Sequence, residues 1–120
     1  MSNSITEQIL TPDHANSREI VEGFHGNFIH TEKMTLAYWD IAKSASLPPH
    51  SHPHEQVVNM LEGEFELVVD GKALRLKPGD VVVIPSNVPH QGQAITECRI
   101  LDVFQPPRDD YRLIDNTQAE

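Results

Sequence analysis

The stretch Pro48-Pro49-His50-Ser51-His52-Pro53-His54-Glu55-Gln56 concentrates side chains that bind metal ions. Neutral imidazole is the commonest protein ligand for Zn, Fe, Ni and Cu. Residues two apart on a strand point the same way, so His50 and His52 are expected to share one face. An H-x-H pair alone also fits an exposed polar loop, and a third imidazole is needed. His90 offers it, closing the turn Pro85-Ser86-Asn87-Val88-Pro89-His90. A second unusual stretch runs from Leu101 to Tyr111 (LDVFQPPRDDY). On a strand, Ile100, Asp102 and Phe104 fall on one face, with Leu101 and Val103 on the other. An acid between Ile and Phe either faces solvent, as base rates favour, or sits inside a cavity.

The elements that must position these groups read as β. Met34 to Ile41 is rich in aromatic and apolar residues and sustains no 3.6-residue period. Phe65, Leu67 and Val69 alternate with Glu64, Glu66 and Val68, and Leu74 and Leu76 alternate with Ala73, Arg75 and Lys77. Asp70-Gly71 between them is a favoured two-residue hairpin turn. Pro78-Gly79-Asp80 then leads into Val81 to Ile84, and Arg99 to Phe104 forms the last clear strand. Short strands punctuated by Pro, Gly, Asn and Asp predict a sandwich or small barrel, with helix minor. Residues 1–20 are polar and read as an arm or edge strand; residues 21–120 read as the barrel, one domain in all.

Composition limits the partners. The 120 residues carry nine Lys and Arg against 18 Asp and Glu, a net charge of −9. Such a surface repels phosphate backbones and anionic headgroups, so neither nucleic acid nor membrane is an expected partner. The single Cys98 cannot form an intrachain disulfide, and the first residues carry no basic start or long apolar run. A cytoplasmic protein is the expectation.

At the level of motifs the chain resembles the cupin superfamily. Its first motif, G-x5-H-x-H-x3,4-E-x6-G, is matched by Ser44, His50, His52, Gln56 and Gly63. Its second, G-x5-P-x-G-x2-H-x3-N, runs through Gly79, Pro85, Asn87, His90 and Ala94, the last standing where the motif has an asparagine that is not a metal ligand. The resemblance implies a double-stranded β-helix (jelly-roll) barrel holding one divalent transition metal, Zn, Ni, Fe or Mn, between the two motifs. The implied ligands are His50, His52, Gln56 and His90. Gln56 stands where the family has glutamate, and because Pro53 disturbs the pleat, Glu55 and His54 remain open as alternatives. Ser44 in place of glycine implies a different turn, whereas Asn87 keeps access to positive φ. With a neutral amide as fourth ligand, a divalent ion keeps its full charge and is the stronger Lewis acid.

HSHPHEQ, LEGEFEL and DVFQPPRDDY together resemble one branch, the KdgF family of pectin and alginate degradation. That resemblance implies conversion of 4,5-unsaturated uronates into linear 5-keto-4-deoxyuronate. It implies Asp102 as general acid/base, with Phe104 and Arg108 receiving a small anionic sugar acid, and a homodimer. Two rivals share the ligand set: an Fe(II)-dependent cupin dioxygenase, and a non-catalytic sugar- or metal-binding cupin.

Overall fold

Alternation of buried and exposed residues decides most of the strands. In the computed structural model, which describes residues 9–118, Thr35 to Ile41 and Cys98 to Gln105 bury every second side chain. Ten strands are present among the described residues. They are β1 Arg18–Val21, β2 Phe24–His30, β3 Thr35–Ile41, β4 Ser46–His50, β5 Glu55–Glu62, β6 Phe65–Val69, β7 Lys72–Leu76, β8 Val81–Ile84, β9 His90–Ala94 and β10 Cys98–Gln105. A 3-10 turn at His14–Asn16 precedes them and the helix α1, Asp109–Gln118, follows.

Two antiparallel sheets face each other. One has the order β1-β2-β3-β10-β5-β8, the other β4-β9-β6-β7. This is the expected all-β jelly roll, built as two apposed sheets rather than one closed barrel. Phe24, Trp39, Ile41, Met60, Phe65 and Ile100 are among the apolar side chains buried between them. Phe24 meets both Trp39 and Phe65 edge-on, at centroid distances of 6.3 and 6.5 Å. Such burial supplies most of the driving force, at roughly 25 cal/mol per Å² of apolar surface. β1 lies on the rim of the larger sheet and runs across the expected boundary at residue 20, while residues 1–8, in the expected arm, lie outside the described part.

Turn chemistry fixes the connections. Asp70 and Gly71 both take positive φ, 50° and 80°, and join β6 to β7 in register from Phe65–Leu76 to Val69–Lys72. Gly63 has φ 85°, and a Cβ there would run into the Glu97 carbonyl, so only glycine fits. Ser44 and Asn87, which stand where the motifs carry glycine, have φ 72° and 65°. Asn87 therefore does what the sequence predicts. Ser44 does not mark the different turn expected from its replacing glycine: it takes the left-handed conformation that glycine would take without strain.

A histidine cluster and a polar-ended cavity

The crossing from the small sheet to the large one assembles the histidines. β4 ends at His50, directly opposite His90 on β9. The chain then crosses through His52 and enters β5, where Gln56 turns inward and is buried. His50 and His52 thus do not share a face of one strand, as the two-residue spacing predicts. Their rings converge because the chain leaves the sheet between them. The Asn87 amide donates to the His52 carbonyl at 2.8 Å, which ties this crossing to the turn that delivers His90.

The nitrogens are sorted by backbone carbonyls. The Nδ1 atoms of His50, His52 and His90 lie 2.9, 3.0 and 2.9 Å from the carbonyls of Pro48, His54 and Val88. A carbonyl only accepts, so Nδ1 carries the proton, and in the neutral ring Nε2 presents its lone pair. Ligand atoms of the three rings lie within 4.8 Å of one another, and buried His90 Nε2 has no hydrogen-bond partner. Burial, with Arg108 and His90 nearby, lowers the His52 pKa to about 4; burial also lowers that of His90. The Oε1 of Gln56 sits 3.1 Å from His52 Nε2. Of the three residues open as a fourth ligand, Gln56 brings an oxygen beside a cluster nitrogen, Glu55 is exposed, and His54 holds its ring 5.4 Å from that of His52 with a buried, unpartnered Nδ1. Three lone pairs anchored through their opposite nitrogens, one of them orphaned, fit a divalent metal ion.

Asp102 occupies the interior. It is buried on β10 between Ile100 and Phe104, against the exposed position that base rates favour. Its register partners are Val58 and Ala37, while Gln56 and Trp39 stand diagonally beside it. Burial pushes its pKa up to about 7, while hydrogen bonds from Gln56 and Trp39, and the charge of Arg108, pull in the other direction. Its Oδ1 has no partner. A buried carboxyl poised near neutrality is suited to proton transfer.

His50, His52, His90, Gln56 and Asp102 line one cavity of about 350 Å³, together with Phe104, Arg108 and Tyr111. Arg108 lies over the rings of Phe104 and Tyr111 at 4.7 and 4.0 Å. Tyr111 is a site residue that the strand pattern did not single out. It belongs to α1, stacks on Phe28 at 4.5 Å, and burial raises its pKa to about 12. Asp110 is the second such residue, closing a two-point pair with Arg108. Both follow Pro106-Pro107, where the strand period ends, so no periodic signal marks them.

Comparison with known proteins adds the lineage. The family described as Cupin domain matches residues 37–104. The chain is 36% identical over 72 residues to the pectin degradation protein KdgF of Dickeya dadantii, a match covering 58% of this chain and 66% of that protein. The aligned stretches span 66% or less of the curated relatives' own lengths. Among solved structures, KdgF from Halomonas sp. superposes with a TM-score of 0.76 at 28% identity, covering 80% of this chain and 90% of that one. An RmlC-like cupin from Shewanella frigidimarina also gives 0.76, at 29% identity, covering 80% and 87%.

Proposed function

The chain belongs to the cupin family, and from that premise we propose that it is a metal-dependent enzyme of uronate breakdown. In this reading it converts 4,5-unsaturated uronates from pectin or alginate into linear 5-keto-4-deoxyuronate. The observation that carries it is Asp102, a buried carboxyl with a pKa near 7 in the same cavity as the histidine cluster. The likeness to KdgF supports the substrate class.

The reaction is an isomerisation, so its steps are proton movements. The anomeric hydroxyl loses its proton, the bond from the anomeric carbon to the ring oxygen breaks to leave an aldehyde, and the freed enolate gains one proton at the neighbouring alkene carbon to become the ketone. Asp102 is placed to take the first proton and to return one to carbon, because a group titrating near 7 does both at neutral pH. Phe104 packs against the sugar ring, and Arg108 faces its carboxylate. A divalent ion held by His50, His52, His90 and Gln56 would supply Lewis acidity toward the substrate oxygens. As a partner surface for a second copy, the outer face of the six-stranded sheet carries exposed Leu61, Val81 and Val83.

The deciding experiment follows the ultraviolet absorbance of an unsaturated monouronate. Absorbance should disappear with the metal-loaded protein and persist after chelation. Absorbance unchanged in both would overturn the reading, and oxygen uptake in its place would establish the dioxygenase alternative.

A further inference from the structure

Arg108 is the cavity's cation, yet its fork is already filled. Its Nε donates to Asp110 Oδ1 at 3.0 Å and its Nη2 to Oδ2 at 2.8 Å. This is the two-point geometry by which a guanidinium receives any carboxylate. The two partners differ in accessibility. The Arg108 side chain is 12% exposed and clamped between Phe104 and Tyr111, whereas Asp110 is 58% exposed. One partner is fixed and the other can swing out to water. Asp110 also has somewhere to go, for it lies in the first turn of α1, where the helix dipole favours a negative charge. Its displacement strands no buried charge on the departing side.

We propose that Asp110 is a displaceable occupant of the substrate-carboxylate position. In this scheme an anionic substrate binds Arg108 by exchanging with the Asp110 side chain. The inference rests on the reading of the cavity as a uronate site and assigns to Asp110 the setting of its selectivity. A ligand carboxylate replaces the two hydrogen bonds that Asp110 gives up; a neutral sugar replaces neither and leaves the pair closed. The internal carboxylate therefore weakens binding of the correct ligand modestly and excludes uncharged look-alikes. The neighbouring Asp109 serves as a built-in comparison. Its side chain is 90% exposed and pairs with Arg112 at 3.7 Å rather than with Arg108.

The test is calorimetric titration of D-galacturonate, a saturated uronate, and of neutral D-galactose, into wild type, Asp110→Asn and Asp109→Asn with matched metal content. Asp110→Asn should bind galacturonate tighter by about fivefold or more, the scale of one partly exposed ion pair. Asp109→Asn should match wild type, and galactose binding should not change with either substitution. Asp110→Ser, which suits a helix start but has a different shape, should reproduce the gain. Unchanged or weaker galacturonate binding by Asp110→Asn and Asp110→Ser would show that Asp110 merely holds Arg108 in place, overturning the exchange alone. An equal gain in Asp109→Asn, a general charge effect, would overturn it as well. If galacturonate bound none of the proteins, the uronate reading of the cavity would fall and the exchange with it.

Discussion

Gln56 Oε1 and His52 Nε2 lie 3.1 Å apart, and His52 has already committed its Nδ1 proton to the His54 carbonyl. With the His52 pKa near 4, the ring is neutral, so two lone pairs face each other. A shared cation resolves that arrangement, and the amide nitrogen is left to serve Asp102. Gln56→Glu therefore changes two things at once. A carboxylate beside the imidazoles should hold a divalent ion more tightly against a chelator. The loss of an amide donor and the added negative charge should also drive the Asp102 pKa up by about one unit or more. Turnover should fall at pH 7, and its pH profile should move to the alkaline side. Unchanged chelator resistance together with an unmoved profile would remove Gln56 from the site.

His90 tests the cluster from the opposite sheet. Its Nε2 is buried and unpartnered, and its ring centroid is 4.2 Å from that of His50. Even outer partners of metal ligands are worth about 10–100-fold in affinity, so removing a ligand should cost more than that. His90→Ala should emerge with metal content near zero while retaining its far-ultraviolet circular dichroism. Full occupancy in a well-folded His90→Ala protein would exclude it as a ligand.

Asp102→Asn separates chemistry from stability. The amide keeps the shape but cannot exchange a proton, so turnover should be abolished with metal content unchanged. Stability of the metal-free protein should respond in the opposite sense. The native carboxyl titrates near 7 and the unfolded one near 4, so the native state binds the extra proton in that window and wild-type stability falls as pH rises through it. A shift of about three units corresponds to roughly 4 kcal/mol, at about 1.4 per unit. His52 works against this between pH 4 and 6.5, because its lowered pKa makes stability rise with pH there. The comparison of variants isolates Asp102: urea unfolding with chelator should show Asp102→Asn gaining on wild type between pH 5 and 8. A constant difference across that range would mean that Asp102 is not held protonated.

Much of this site was readable in the sequence, for physical reasons that differ by residue. His50, His52, Gln56 and His90 stand at motif spacings, and a spacing survives whatever the backbone does between its members. How His50 and His52 meet was not readable, because the strand ends at His50 and the sequence carries no mark of a sheet crossing beyond Pro53. Asp102 was legible as an acid on an apolar face, but one face of one strand cannot say what lies opposite. Gln56 and Trp39, on two different strands, decide that. β2 was missed because Phe24 to His30 includes Gly26 and Asn27, poor strand formers that tertiary pairing with β3 carries along. α1 was missed because its polar sequence, starting at Asp109-Asp110, gives little apolar period; its seat comes from Tyr111 on Phe28 and from Asp115.

That seat yields the last prediction. Thr35 is fully buried, and its Oγ1 accepts the Arg108 backbone N–H at 2.9 Å while lying 2.9 Å from His30 Nδ1. The hydroxyl proton is thus directed to His30 Nδ1, and His30 Nε2–H donates to Asp115 Oδ2 at 3.0 Å. Asp115 also meets Arg18 at 3.5 Å. This chain of contacts holds α1 and the Arg108 backbone against β1, β2 and β3, so its two ends should not be equally important. Thr35→Val keeps the shape but leaves a part-buried backbone N–H and a part-buried imidazole nitrogen without their partner, which should cost about 1–3 kcal/mol. Asp115→Asn retains an acceptor for His30 and loses only part-exposed ion pairing, so it should cost less than about 1 kcal/mol. Both costs are readable by denaturant unfolding, with Trp39 fluorescence reporting the Tyr111 ring that meets it edge-on at 5.9 Å. The reverse order, with Asp115→Asn the more damaging, would place the anchor of α1 in the ion pairs rather than in the buried hydroxyl.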